Sequence, residues 1–344
     1  MTTRRTLMGL MGGAAMTAFA AGSALAADVN LKMHGFLPLG ATIPAAIIQP
    51  WIDQVEANSG GRIEIEHFGA MALGGKPPEL YDQVVDGITD IAWTVIGYTP
   101  GRFPSTEVME LPFMVSDARA GSSALWQITE GKLMDTEFSD TKVLATWVHG
   151  PGMFHTADPV EVPSDLEGMK IRGGSRMVNQ LLEATGATPV GMPVPAVPEA
   201  LSKGVIDGTT IPWEVTGTLK VPELVENHTE FNGPALYVLS FVMAMNNDVY
   251  NGLDADLQKA IDDASGLEFS IFAGGTQEDA DGPARALAVE LGNNIITVSE
   301  EDAMKWGEVV NPIIAAWKAE MDGRGIDGQG LVDEASALMA AHGG

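Results

Sequence analysis

From Val29 onward the period of the apolar positions keeps switching. Val29, Leu31 and Met33 alternate with polar residues and predict a strand. Ile48, Trp51, Ile52 and Val55 follow at helical spacing, and Gly60-Gly61 ends that helix. Ile63, Ile65 and His67 alternate again. Pro77-Pro78 then opens a helix through Leu80 and Val84 that stops at Gly87, and "TDIAWTV" reads as a third strand. The rhythm returns after about residue 150. "MKIRG" is a strand, and Ser175 caps a helix carrying Val178, Leu181 and Leu182 that stops at Gly186. "ATPVGM", "PEALSKG" and "VIDGTTIP" then read as strand, helix and strand. Strands alternating with helices predict an α/β fold with mainly parallel sheets covered on both faces.

Two passages are close counterparts. "LYDQVVDGITDIAWTV" and "EALSKGVIDGTTIPW" both run helix, Gly, β-branched residue, any residue, Asp, strand, then Trp. Gly87 and Gly204 hold one place, Asp90 and Asp207 another, so two similar halves are expected. "ALYVLSFVMAM" (235–245) suits a strand buried on both faces. Asp254 to Leu291 is largely helical in composition, interrupted only by Gly266, Gly274-Gly275 and Gly282-Pro283; "NIITVS" is a strand, and Ser299 with Asp302 starts a helix bearing Val309, Ile313, Ile314 and Trp317. A last helix carries Leu331, Leu338 and Met339.

The first 26 residues stand outside this pattern. Arg4 and Arg5 precede a weakly apolar stretch, and Ala24-Leu25-Ala26 is a small-x-small cleavage site. They read as a signal peptide, with the paired arginines pointing to the twin-arginine route or else belonging to an ordinary secretory leader. Export to the periplasm is expected in either case. No later stretch is long and apolar enough to span a membrane. The chain of 344 residues has 19 Lys+Arg against 46 Asp+Glu, a net charge of −27, and no cysteine. That charge argues against nucleic acid and anionic membranes as partners and makes any buried cation informative. Without disulfides, core packing alone must hold the fold.

Catalytic signatures are missing. There is no H-E-x-x-H, G-x-S-x-G or Cys/His metal spacing. "AMALGGKP" (70–77) lacks the first Gly and final Ser/Thr of a phosphate loop and reads as a turn. "QEDADG" (277–282) lacks the ligand run of a calcium loop and reads as a solvated helix face.

The chain resembles the extracytoplasmic solute receptors of tripartite ATP-independent periplasmic (TRAP) transporters, the DctP type, over essentially all of residues 27–344. The resemblance is carried by "FGAMALGG", "ELYDQVVDGITDIAW", "GYTPGRFPSTEVMELPFM" and above all "PSDLEGMKIRGGSRMVNQLLEATGATPVGMPVPAVPEALSKGVIDG". It implies a bilobal periplasmic-binding-protein fold of two α/β domains with a hinge and a long helix spanning both lobes, for which Asp254–Leu291 is the natural candidate. On that fold, residues 27–150 with 237–270 form lobe I, residues 151–236 with 271–310 form lobe II, and 311–344 pack on both. The resemblance also implies a receptor that catalyses nothing, needs no cofactor, acts as a monomer and hands a small organic acid to membrane subunits. The arginine of K-[IL]-R, here Arg172, would bind the ligand carboxylate, for which a planar guanidinium fork is well matched.

Two departures narrow the ligand. Many relatives carry a second arginine where this chain reads "GPGMFHTA", and an Asn-Pro pair where it reads Ile211-Pro212, then Trp213-Glu214. Fewer polar groups and more apolar ones favour a monocarboxylate with an apolar or aromatic body. Trp93 and Trp213, ending matching strands, are expected to face one another across the ligand. His34, Phe36, Met153, Phe154 and Met192 are further wall positions, each equally readable as core. Glu214 is read as a solvated acid, as an acceptor for a ligand hydroxyl, or as the holder of a cation bridging to the ligand. The remaining alternatives are a receptor of another importer class and an exported enzyme.

Overall fold

The computed structural model describes residues 27–342; the leader read over 1–26 lies outside them. Two sheets organise these residues. The first contains β1 (Val29–His34), β2 (Ile63–Phe68), β3 (Ile91–Val95), β4 (Thr141–Val148) and β10 (Ser240–Asn246), in the order β2-β1-β3-β10-β4. The second contains β5 (Met153–Thr156), β6 (Lys170–Gly173), β7 (Thr188–Gly191), β8 (Gly208–Ile211), β9 (Asn227–Phe231) and β11 (Asn294–Val298), in the order β11-β9-β5-β8-β6-β7. In each, three parallel strands (β2-β1-β3 and β7-β6-β8) meet one antiparallel strand that the chain brings across from the other lobe, β10 and β5 respectively. The central strands β3, β5, β8 and β10 are buried along their whole length, as strands covered on both faces must be.

The repeated passage is repeated at the level of atoms. Gly87 and Gly204 both take positive φ, 69° and 64°, and close their helices with the same pair of bonds. Ile88 N–H reaches Gln83 O at 2.8 Å, and Val205 N–H reaches Ala200 O at 2.9 Å. Asp90 then accepts the backbone N–H of Lys32 at 2.7 Å, and Asp207 that of Lys170 at 2.8 Å. Each aspartate thus sews the start of its own strand to the neighbouring parallel strand.

The two crossings, 149–152 and 232–239, pair with each other. Gly152 N–H donates to Tyr237 O at 3.0 Å, and the Tyr237 ring occupies the space where a Cβ on Gly152 would stand.

The segment 254–291 departs from the single long helix expected. It forms three helices, Ala255–Asp262, Leu267–Asp279 and Asp281–Glu290. Gly266, at φ 87°, sets off the second, and the run Ala280-Asp281-Gly282-Pro283 divides the second from the third, where proline has no N–H to continue the ladder. Leu267–Asp279 packs on β4 and on helix Ala118–Ile128 in the first lobe, whereas Asp281–Glu290 packs on helix Trp213–Leu219 in the second. The passage between lobes on this segment therefore falls at Ala280, not between 270 and 271. A 24-residue helix, Glu300–Gly323, begins at Ser299, whose hydroxyl accepts the Asp302 N–H at 3.1 Å. Its Trp306 stacks on Phe154 in the second lobe, and helix Gly328–His342 returns to the first. At the seam, Arg176 bonds Glu107 and, at 2.7 Å, Glu320.

Candidate functional site: a cavity between the lobes

Arg172 sits on β6, between β7 and β8, and is 1% exposed. Its Nε donates to Met192 O at 2.9 Å and its Nη1 to Thr210 O at 2.9 Å, one carbonyl from each flank. Nη2 is buried and makes no hydrogen bond. An unpaired donor on a buried cation costs about 1–3 kcal/mol or more, so a group held this way is held for a partner. The glycines after it have a steric cause. A Cβ on Gly174 would stand 3.1 Å from Nη2, 3.2 Å from Nη1 and 2.6 Å from Leu239 Cδ1. Only glycine lets the backbone turn this closely over the guanidinium.

Arg172 lines a narrow cavity walled by both lobes. The first lobe and β10 contribute Phe36, Ile43, Val95, Tyr98 and Phe241; the second contributes Val194, Ile211, Pro212 and Val215 beside Arg172. The lobes are closed over it. Tyr98 of the first lobe accepts the N–H of Val194 of the second at 2.9 Å, and Gly97 abuts Ser175 so tightly that a Cβ there would lie 2.5 Å from the serine Cβ. Burial raises the Tyr98 phenol, which stays neutral beside Arg172.

His149, Glu214 and Gln277 are the further polar side chains of the lining, beside Arg172 and Tyr98. His149 donates from Nδ1 to Gly150 O and accepts the Leu239 N–H at Nε2, 3.0 Å, so both ring nitrogens are spent. Burial, reinforced by the Arg172 charge, pushes it down to about 4, so it is neutral. Glu214, by contrast, brings a spare oxygen. Trp147 Nε1 donates to Gln277 Oε1 at 2.7 Å, which turns the Gln277 amide N–H toward Glu214 Oε2 at 3.3 Å. Glu214 Oε1 is buried and unpartnered. Burial raises this carboxyl above its ordinary range, while Thr42 and Gln277 hold it back. Asp281 accepts the Glu214 N–H at 2.7 Å and so anchors the first turn of helix Trp213–Leu219 from the lobe-spanning segment.

Of the residues singled out in the sequence, Arg172, Phe36 and Glu214 come together here. Met192 contributes its carbonyl, the acceptor for Arg172 Nε. Trp93 lies one layer back, its ring centroid 4.6 Å from that of Phe36 with the planes tilted by 46°, beneath Gly35. Four residues lie elsewhere, correcting the expectation. His34 is consumed by Gln83 Oε1 at 2.7 Å and the Leu73 N–H at 3.3 Å. Phe154 stacks on Trp306, ring centroids 5.4 Å apart. Trp213 and Met153 form a small apolar cluster with Ala288, where the indole packs on His155 and His228. Consecutive helical residues point about 100° apart, so when Glu214 faces the cavity Trp213 must turn away from it. The two tryptophans therefore do not oppose one another.

Tyr98, His149, Phe241 and Gln277 were not picked out in the sequence. Phe241 was hidden in a strand that is apolar throughout, and Gln277 in "QEDADG", where the surrounding acids gave the look of a solvated face; Gln277 is in fact 1% exposed. Among the described residues no cluster of His, Asp and Glu has the arrangement of a metal site, and no helix is long and apolar enough to cross a membrane.

A guanidinium with one nitrogen left unpartnered, in a largely apolar chamber between two α/β lobes, is suited to a carboxylate. The family profile of bacterial extracellular solute-binding proteins, family 7, matches residues 38–320. The chain belongs to that family. A solved TRAP solute-binding protein from Rhodoferax ferrireducens T118, in complex with copurified benzoate, is 45% identical; the match covers 91% of this chain and 98% of that one, with a TM-score of 0.89. A marine metagenome TRAP solute-binding protein specific for aromatic acid ligands, with co-crystallised 3-hydroxybenzoate, is 42% identical over 92% of this chain and 99% of that one, TM-score 0.89. The C4-dicarboxylate-binding periplasmic protein of Rhodobacter capsulatus is 25% identical over 321 residues, 91% of this chain and 93% of its own. As a family 7 member the chain is a TRAP-type solute-binding protein.

Proposed function

We propose that this receptor takes an aromatic monocarboxylate in the periplasm and delivers it to the membrane subunits of a TRAP transporter. The observation that carries the reading is Arg172 Nη2, the one unpartnered cationic nitrogen in a cavity lined mainly by aromatic and aliphatic side chains. A carboxylate on Nη2 gains a charge-assisted bond away from water, and a flat ring fills the apolar remainder. No second cation lines the cavity, which disfavours a dicarboxylate. Two solved relatives above 40% identity hold benzoate and 3-hydroxybenzoate, in agreement with that choice.

Closure works by difference in affinity. Phe36, Ile43 and Val95 touch the ligand only when their lobe meets Arg172 and Ile211, so ligand favours the closed form. The contact is direct, without cofactor or bridging metal, Glu214 being the only carboxylate in the lining. The chain catalyses nothing, since the cavity's one histidine has no free nitrogen to move a proton. It works as a monomer, exported through the leader at 1–26, with Arg4 and Arg5 favouring the twin-arginine route. Isothermal calorimetry with benzoate, phenylacetate and succinate tests the reading. The expected result is binding of the aromatic acids and none of succinate. Preferential succinate binding, or no binding of any acid, would overturn it.

A further inference from the structure

Outside Arg172, one group in the cavity is left without a partner. Among the lining side chains, the unsatisfied polar atoms are a single donor, Arg172 Nη2, and a single acceptor, Glu214 Oε1. Their pairing is not local. Arg172 comes from β6, whereas Glu214 comes from the first turn of the third α-helix after it and is aimed by the chain Trp147–Gln277–Glu214, which begins in the first lobe. Gln277 engages Oε2 and leaves Oε1 without a hydrogen bond. Trp147 is itself held by Phe241, stacked at 5.2 Å with ring planes 9° apart. A buried carboxyl oxygen costs free energy unless it is bonded.

We propose that Glu214 accepts a hydrogen bond from a hydroxyl on the ligand, so that the acid this cavity takes is a hydroxylated aromatic monocarboxylate. This rests on the Arg172 reading and adds the second pole: carboxylate on Nη2, ring between Phe36, Phe241, Val95 and Ile211, hydroxyl donating to Oε1. One donor matches one acceptor. An ammonium group in the same place would bring three N–H bonds to a single free acceptor and leave two buried and unpaired, so a hydroxyl is the chemistry that fits. Burial raises the Glu214 carboxyl, and Thr42 and the Gln277 amide offset part of that rise.

The experiment compares dissociation constants for benzoate, 3-hydroxybenzoate, 4-hydroxybenzoate and 3-methoxybenzoate by calorimetry. A site built around a hydroxyl rejects the analogue that lacks it, because its own acceptor is then stranded. At least one hydroxybenzoate is expected to bind ten-fold or more tighter than benzoate. 3-Methoxybenzoate, which keeps the oxygen and loses the proton, is expected to bind no better than benzoate. In Glu214→Gln the ratio of hydroxybenzoate to benzoate affinity is expected to fall below about three. The unmodified protein suffices for the first comparison, so a poorly folding variant does not remove the test. If benzoate and both hydroxybenzoates bind within three-fold of one another, the Glu214 assignment fails while the Arg172 reading stands. If no acid binds, both fail.

Discussion

His34 and Arg172 hold the same place in the two half-sheets. His34 pairs with Ala92 two residues beyond Asp90, and Arg172 pairs with Thr209 two residues beyond Asp207. Each aspartate ties down the residue two before them, Lys32 or Lys170. From this equivalent start the halves diverge. Both nitrogens of His34 are spent on its own lobe, fixing the turn around Leu73 through Gln83. Arg172 spends two nitrogens on its flanking carbonyls and keeps the third for the cavity. One half became scaffold and the other an anion hook.

The hook depends on fork geometry. Arg172→Lys keeps the charge but cannot bond Met192 O, Thr210 O and a carboxylate from a planar group. Affinity for benzoate is expected to drop at least ten-fold in Arg172→Lys, and further in Arg172→Ala, where both carbonyls lose their buried donor. Calorimetry on material whose circular dichroism matches the parent checks this; unchanged affinity in both variants would remove Arg172 from the site.

Gly174→Ala tests the close approach. Its backbone conformation is one alanine adopts, so the strain is contact alone: Leu239 Cδ1 at 2.6 Å and the two guanidinium nitrogens at 3.1 and 3.2 Å. Leu239 can yield, but the guanidinium is pinned on two carbonyls and is displaced. The expected result is a several-fold loss of affinity with a fall in Tm of only a few degrees, since overpacking costs about 1–3 kcal/mol. A variant with parental affinity would show that the turn does not position the guanidinium.

The two aspartates of the repeat carry stability, not selectivity. Asp90→Ala and Asp207→Ala each strip the acceptor from a strand N–H, at about 1–3 kcal/mol. Denaturant titration is expected to show similar losses for the two, with the order of preference among aromatic acids unchanged. A loss confined to one of them would break the equivalence of the halves.

Stability should be greatest near pH 6 and fall on both sides. Burial pushes Glu110 and Asp281 up to about 8, so the folded state holds protons that the unfolded chain has released. Their favourable neutral form is fully present below the unfolded carboxyl range and is lost as pH rises toward 8. Burial pushes His67, His149 and His228 down to about 4 and His155 to about 3, so acid below the ordinary histidine range favours the unfolded chain. Tm measured from pH 5 to 9 should decline between about 6.5 and 8.5, and Glu110→Gln should flatten that limb. A rising or level alkaline limb would contradict this account of the buried acids.

What was readable along the chain was whatever local rules enforce. Alternation and helical spacing gave the strands and helices, because a face that is buried must be apolar at the period of its element. The repeat around Gly87 and Gly204 was legible because positive φ and an N–H acceptor demand Gly and Asp at fixed spacing. Arg172 stood out because an acidic chain placed a cation before two glycines. Tertiary structure alone decided which side chains share the cavity. Trp213 and Glu214 are neighbours in sequence, yet one entered the far cluster and the other the binding chamber. Gln277 and Trp147, 130 residues apart, aim Glu214 together. The orientation of a side chain at a lobe interface is set by how two separately built layers meet, and no local period encodes that meeting.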